Sequence, residues 1–190
     1  KSIKTEDYIF EQGPRTIRPS GHVGLNTLNM IQDLGLSEHV VPIRPDHPAA
    51  KNRMIYVKNN LHTFRTGLKG IFQTNKPFSK PHIYAAFNDL RQPHKVLKDD
   101  SIYNFVERRF GKEIADYAIS PMICGICAGD AKEISVKFLM KTLFEWEQNH
   151  GGVVKGMMKS MFKPKSTDNL QLSELARKAQ EEKWNVYTIR

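Results

Sequence analysis

The spacing of apolar residues changes along this chain, and that change limits the folds open to it. Near both ends the apolar residues come in short runs that suit strands, whereas through the middle they fall at helical intervals. Residues 8–11 read as a strand ended by Gly13-Pro14, followed by a helix that carries Leu25, Leu28, Ile31 and Leu34 on one face and stops at Gly35. Val40-Val41-Pro42-Ile43 is extended, and Arg44-Pro45-Asp46-His47-Pro48 is a turn, because its prolines fix φ and bias the residues before them away from helix. Residues 54–57 and 61–64 form a hairpin around Lys58-Asn59-Asn60. Helical spacing then takes over with Leu68, Ile71 and Phe72, with 83–90, and most clearly with Ile102, Phe105, Val106 and Phe110, a stripe that Asp100 or Ser101 can cap and Gly111 closes. Further helices are expected over 112–119, over 136–149 with Phe138, Leu139, Leu143 and Trp146 inward, and over 172–182, before a last extended piece at 186–189. The expected fold class is α+β, mostly helical in the middle, an arrangement that suits a helical insertion within an α/β or α+β protein.

At 190 residues the chain is one large or two small domains, and 39% hydrophobic with 26% charged residues excludes a disordered tail or a coiled-coil rod. No run approaches the roughly 18 apolar residues of a membrane-spanning helix, and the most apolar stretch, 118–128, is broken by Pro121 and Gly125. The sequence opens on Lys1 without the sections of a secretory signal, so an internal piece of a longer protein is expected.

With 29 Lys and Arg against 20 Asp and Glu the net charge is +9, which calls for an anionic partner: nucleic acid, lipid headgroups or an acidic ligand. Residues 51–80 hold Lys51, Arg53, Lys58, Arg65, Lys69, Lys76 and Lys80 and no acidic residue, interleaved with Leu61, Phe64, Leu68, Ile71, Phe72 and Phe78. Residues 153–165 repeat the theme, with Met157, Met158, Met161 and Phe162 among Lys155, Lys159, Lys163 and Lys165. Apolar residues beside lysines at helical spacing are the composition of an interfacial helix on an anionic membrane surface. A solvated basic face over an ordinary core competes with that reading. Nucleic acid stays open through phosphate attraction, but no helix-turn-helix, zinc-finger or RNP pattern accompanies the charge; an enzyme reading calls for no nucleic acid, whereas a binding-module reading allows it.

The two cysteines have C-x-x-C spacing in Cys124-Gly125-Ile126-Cys127, but no second pair completes a zinc site and the setting is not that of a thioredoxin-like pair. Two buried thiols acting as small hydrophobes are expected. The seven histidines are scattered singly, so no metal is expected, and no G-x-G-x-x-G, P-loop or Ser/His/Asp pattern appears, so no catalytic side chain is assigned. On these features alone a basic helical membrane- or nucleic-acid-binding module without catalysis stands beside any enzyme reading.

Five segments nevertheless resemble, in order and spacing, the oxygen-dependent protoporphyrinogen oxidases, a family of flavin amine oxidase-like enzymes in haem biosynthesis. They are Gly13-Pro14-Arg15-Thr16-Ile17-Arg18-Pro19, Asp46-His47-Pro48-Ala49-Ala50-Lys51-Asn52-Arg53-Met54-Ile55-Tyr56-Val57, Pro77-Phe78-Ser79-Lys80-Pro81, Glu107-Arg108-Arg109-Phe110-Gly111 and Ala128-Gly129-Asp130. The likeness covers nearly the whole chain.

The resemblance implies a two-domain FAD enzyme with a helical membrane-binding insertion. Such an enzyme takes hydrogens from protoporphyrinogen IX, passes hydride to the flavin and returns the electrons to O₂ with hydrogen peroxide as product. Gly13, Pro14, Arg15 and Thr16 match residues that line the flavin, Arg53 an arginine that meets a substrate propionate, and Gly125 a glycine whose backbone faces the tetrapyrrole. Residues 1–41 correspond to part of the FAD-binding domain, 42–49 to a crossing, 50–164 to the membrane-binding domain and 165–190 to the start of the substrate domain. A peripheral place on the mitochondrial inner membrane follows, and a homodimer is among the assemblies the resemblance allows. The sequence departs from the family's pattern at Cys124 and Cys127, where an arginine or small polar residue and an aromatic are expected. The family's G-x-G-x-x-G turn and carboxy-terminal half are absent from these residues, so the chain alone is expected to bind FAD poorly and turn over nothing.

Overall fold

A computed structural model describes residues 2–11, 16–51, 54–63, 68–162 and 171–190. Along the chain run β1 (Ser2–Lys4), β2 (Ile9–Glu11), α1 (Gly21–Asp33), β3 (Val40–Ile43), α2 (Pro48–Lys51), β4 (Met54–Val57), β5 (Asn60–Thr63), α3 (Leu68–Phe72), α4 (Ile83–Arg91) and α5 (Ile102–Phe110). They are followed by α6 (Lys112–Ile114), a π-helical stretch (Ala115–Ile119), α7 (Ser120–Cys127), α8 (Val136–Leu139), α9 (Lys141–His150), α10 (Val153–Met161), α11 (Glu174–Glu181) and β6 (Val186–Ile189). The strands pair antiparallel in twos, β1 with β2, β3 with β6 and β4 with β5. The chain divides into two compact units, one made of Lys1–Asn52 with Ser166–Arg190 and the other of Arg53–Lys165.

The first unit is built by sequence-distant pieces. β3 pairs with β6 in the register Val40↔Ile189 to Ile43↔Val186, and α1 packs on α11 through Leu28, Ile31, Leu175, Ala176 and Ala179, joined by Trp184 and Tyr187. Helix α1 ends as its sequence expects. Gly35 takes φ +71°, and the Gly35 and Leu36 N–H groups return to the Gln32 and Ile31 carbonyls at 2.9 and 3.0 Å, a Schellman stop. Polar side chains of α1 also hold the start of α11. Asn29 donates to the Gln171 carbonyl at 2.8 Å and accepts from the Ser173 N–H at 2.9 Å, while Gln32 accepts from the Leu175 N–H at 2.8 Å.

The second unit is helical, with one hairpin. Its core gathers Ile102, Phe105 and Val106 of α5 with Ala115, Ile123, Val136, Phe144 and Val153. Ser101 supplies the cap of α5, accepting from the Asn104 N–H at 3.1 Å, and Gly111 closes the helix at φ +99°. The β4–β5 turn is tighter than expected: Lys58 and Asn59 both have positive φ, 50° and 59°, and Asn60 already belongs to β5.

Two expectations are corrected here. The helix expected over 112–119 does not stop there: α6 runs through the π-helical stretch into α7, Pro121 stands in the first turn of α7, where a missing N–H is tolerated, and the Ser120 hydroxyl donates to the Ala115 carbonyl at 2.8 Å. The single helix expected over 136–149 is two helices, split at Met140 (φ −124°, ψ 31°), which turns Phe138 outward to 73% exposure while Leu143 and Trp146 still pack on the core.

Candidate functional site

The residues that follow the expected flavin-lining segment are anchored from both sides. Ile17 exchanges both backbone hydrogen bonds with Tyr187 of β6, at 2.8 and 2.9 Å, and α1 presses beneath the following residues through Gly24. A Cβ on Gly24 would stand 2.6 Å from the Arg18 carbonyl oxygen and 2.8 Å from the Pro19 carbonyl carbon, so only glycine lets the helix approach this closely. Thr16 sits exposed next to that anchor. Gly13, Pro14, Arg15 and Arg53 lie outside the described residues.

Gly125 belongs to the second unit, in α7, on an exposed surface that also carries Cys124 and Ile126. Nothing stands within 4 Å of where a Cβ would be. Since glycine inside a helix costs about 0.5–1 kcal/mol against alanine, and no neighbour among the described residues requires it, its presence here is not a packing demand. The buried pair of thiols expected from sequence is not found. Cys124 is exposed and Cys127 half-buried: Cys127, four residues after Ile123, shares the side on which that residue anchors the helix in the core, whereas Cys124, one residue on, turns away from it. Among the described residues no group of His, Cys, Asp and Glu could hold a metal ion.

Sequence reasoning missed a buried ionic network in the second unit. Asp89 and Arg109 are both fully buried, and the Arg109 Nε donates to Asp89 Oδ1 at 2.6 Å. Asp89 also accepts from the Val153 and Val154 N–H groups at 3.2 and 2.8 Å, capping α10 from a helix far away in sequence. Arg109 continues to Glu147 at 3.5 Å, and Glu147 pairs with Arg108, which reaches Asp100 at 3.1 Å. Burial opposes the charge on Arg108, but hydrogen bonds to Glu147 and Asp100 outweigh it, and its pKa rises. A visible signal existed: an aspartate among apolar residues in a predicted helix needs a partner. The partner's identity is not readable from spacing.

A cavity of about 400 Å³ opens in the second unit between Phe78, Tyr84, Phe87, Lys80, Arg91 and Glu113. Gly125 does not line it. Burial lowers the His82 pKa at its wall, keeping that imidazole neutral further into the acid range.

Comparison with known proteins decides what this arrangement belongs to. Residues 1–181 match the flavin containing amine oxidoreductase family. The chain is a member of that family. Protoporphyrinogen oxidase of Bos taurus is 38% identical over 191 residues, covering 100% of this chain and 39% of its own length. Protoporphyrinogen oxidase of Homo sapiens is also 38% identical, over 182 residues, covering 96% of this chain and 37% of its own. This amine oxidoreductase chain therefore spans under two-fifths of the curated relatives it matches. Its fold is shared with a solved protein of Exiguobacterium sp. 255-15 named as a candidate protoporphyrinogen oxidase, at TM-score 0.62 and 16% identity, over 100% of this chain and 38% of that one.

Proposed function

We propose that the complete protein containing this chain is an FAD-dependent oxidase that converts protoporphyrinogen IX to protoporphyrin IX with O₂ as acceptor, serving haem biosynthesis. The observation that carries the reading is 38% identity over the whole chain to proteins named protoporphyrinogen oxidase. Bound FAD would supply hydride acceptance and electron delivery to O₂. The protein's own residues bind and orient.

Thr16 suits a cofactor wall, since it is exposed while its neighbour Ile17 is fixed to Tyr187, so a polar group is presented from a backbone that cannot drift. Gly13, Pro14 and Arg15 precede it in sequence. Gly125 offers open space above α7, which a flat tetrapyrrole can approach without meeting a side chain. Arg53 would hold a propionate through its planar guanidinium, fixing the macrocycle's orientation.

The same reading places the protein peripherally on an anionic surface, the mitochondrial inner membrane. Among the described residues no helix is long and apolar enough to cross a membrane, but α10 has the character of one that lies on it. Its Gly156 is pressed against Trp146 of α9, which fixes the buried face, while Met157, Met158, Met161 and Phe162 are exposed beside Lys155 and Lys159 with no acidic residue in the helix.

The test uses the complete protein. Purified with bound flavin, it should convert protoporphyrinogen IX to the fluorescent porphyrin, and absence of either flavin or porphyrin would sink the reading. Arg53→Ala should lower kcat/KM by about 10- to 100-fold, the size of one charge-assisted carboxylate contact. Unchanged kinetics would remove Arg53 from the substrate site.

A further inference from the structure

We propose that Cys124 and Cys127 are a peroxide-sensitive modification site: two thiols on the last turn of α7 that close reversibly into an intrahelical disulfide. The proposal goes beyond the oxidase reading and does not depend on it, since it needs only the two thiols and a peroxide.

Position favours the bridge. Residues three apart on a helix share a face with Cβ atoms about 5–6 Å apart. A disulfide needs about 3.5–4.5 Å, so the turn must tighten by about 1–2 Å. In the middle of a packed helix that movement would be resisted. Here Cys127 is the final residue of α7, and the next, Ala128, has already left the helix in the left-handed region at φ 50°, ψ 31°. The Ala128 N–H donates to the Cys124 carbonyl at 2.9 Å where the helix ends. The surroundings are equally permissive. Met122 and Ile126 are 40% and 57% exposed, Gly125 has open space around it, and Ile123 is the residue of the helix buried in the core. Both sulfurs are free, Cys124 open to solvent and Cys127 half-covered beside it.

The exposure difference assigns the order of events. The Cys124 thiolate attacks peroxide, the O–O bond breaks, and Cys124 becomes a sulfenic acid while one oxygen leaves as water. Cys127 then attacks that sulfur, an S–S bond forms, and the second oxygen leaves as water. Two thiols and one hydrogen peroxide thus give one disulfide and two waters, with two electrons passing from sulfur to oxygen. A dithiol reverses the change.

The consequence is local and specific. Gly125 lies between the two cysteines in sequence, so tightening the turn they bridge reshapes the backbone at the position read as facing the tetrapyrrole.

The experiment treats the complete protein with hydrogen peroxide, blocks remaining thiols with iodoacetamide, and weighs the tryptic peptide that contains both cysteines. The expected result is a peptide lighter by two hydrogen atoms than the reduced form, with neither cysteine alkylated, and restoration of both alkylation sites by dithiothreitol. In Cys127→Ser the chemistry should stop at a Cys124 sulfenic acid that dimedone traps. Two fully alkylatable thiols after peroxide, a Cys124 sulfinic or sulfonic acid with Cys127 still free, or a disulfide to another molecule would each overturn the proposal. Added peroxide makes the outcome independent of whether the protein oxidises a porphyrinogen.

Discussion

Asp89 does three things at once. It neutralises Arg109, caps α10, and through both contacts ties α4, α5 and α10 into one core. Because the pair is fully buried, removing the Asp89 charge leaves Arg109 with the longer Glu147 contact at 3.5 Å, and breaking a buried pair costs about 3–5 kcal/mol. Asp89→Asn should therefore lower unfolding stability by about that much, measured in a denaturant titration. A loss below about 1 kcal/mol would show that the network is relaxed by water. Asp116 shows the same chemistry nearer the surface. Burial alone would raise its pKa, but the Tyr103 hydroxyl donates to it at 2.8 Å and Lys112 pairs with it at 3.2 Å, and together they hold the carboxyl below its ordinary range. A carboxyl depressed on folding contributes stability above its unfolded pKa and loses it as pH falls through the folded value. Asp116→Asn should flatten the acid limb of a stability-against-pH curve and leave the neutral region's slope unchanged, whereas an unaltered acid limb would mean the contact contributes nothing.

At the scale of elements, α10 divides its labour between two faces. Val153 and Gly156 are buried against α9, and the outward side offers Met158, Met161 and Phe162 at 54%, 77% and 86% exposure. Burying a methionine side chain contributes about 1.5–3 kcal/mol, and a lysine near anionic headgroups about 1 kcal/mol. Met158→Glu with Met161→Glu should thus abolish pelleting of the complete protein with anionic vesicles at moderate salt, whereas Lys155→Gln with Lys159→Gln should weaken it mainly at low salt. Vesicle binding that survives the first pair would remove α10 from the surface reading. How such elements could be foreseen differs with the range of the forces that make them. Helix α5 was legible because its cap, stripe and closing Gly111 are neighbours in sequence, and so was the stop of α1 at Gly35. The pairing of β3 with β6 was not, since both strands announced themselves but nothing local names a partner on the far side of the chain. Phe138 was misassigned because one residue, Met140, breaks the periodicity on which inward facing was judged. The candidate site was legible only through resemblance. Gly125 carries no local sign of function, and C-x-x-C spacing alone could not say that Cys124 is exposed and Cys127 half-buried.

For the chain as a whole, the first unit is interrupted by the second: it is left after Asn52 and resumed at Ser166. Each unit nevertheless closes its own core. Leu28, Ile31, Ala176 and Tyr187 belong to one, and Ile102, Phe105, Ile123 and Phe144 to the other. An interrupted unit can hold together only if its two pieces bind each other directly, and here they do so through four register pairs of β3 with β6 and through the Arg44–Glu182 contact at 2.8 Å. The two tryptophans report separately, Trp184 from the first unit and Trp146 from the second. If the cores are independent, Asp89→Asn should lower the midpoint read from Trp146 in a Trp184→Phe background and leave the midpoint read from Trp184 in a Trp146→Phe background in place. Should both midpoints fall together, the 190 residues unfold as one cooperative block, and the second unit is better described as a part of the first than as an insertion into it.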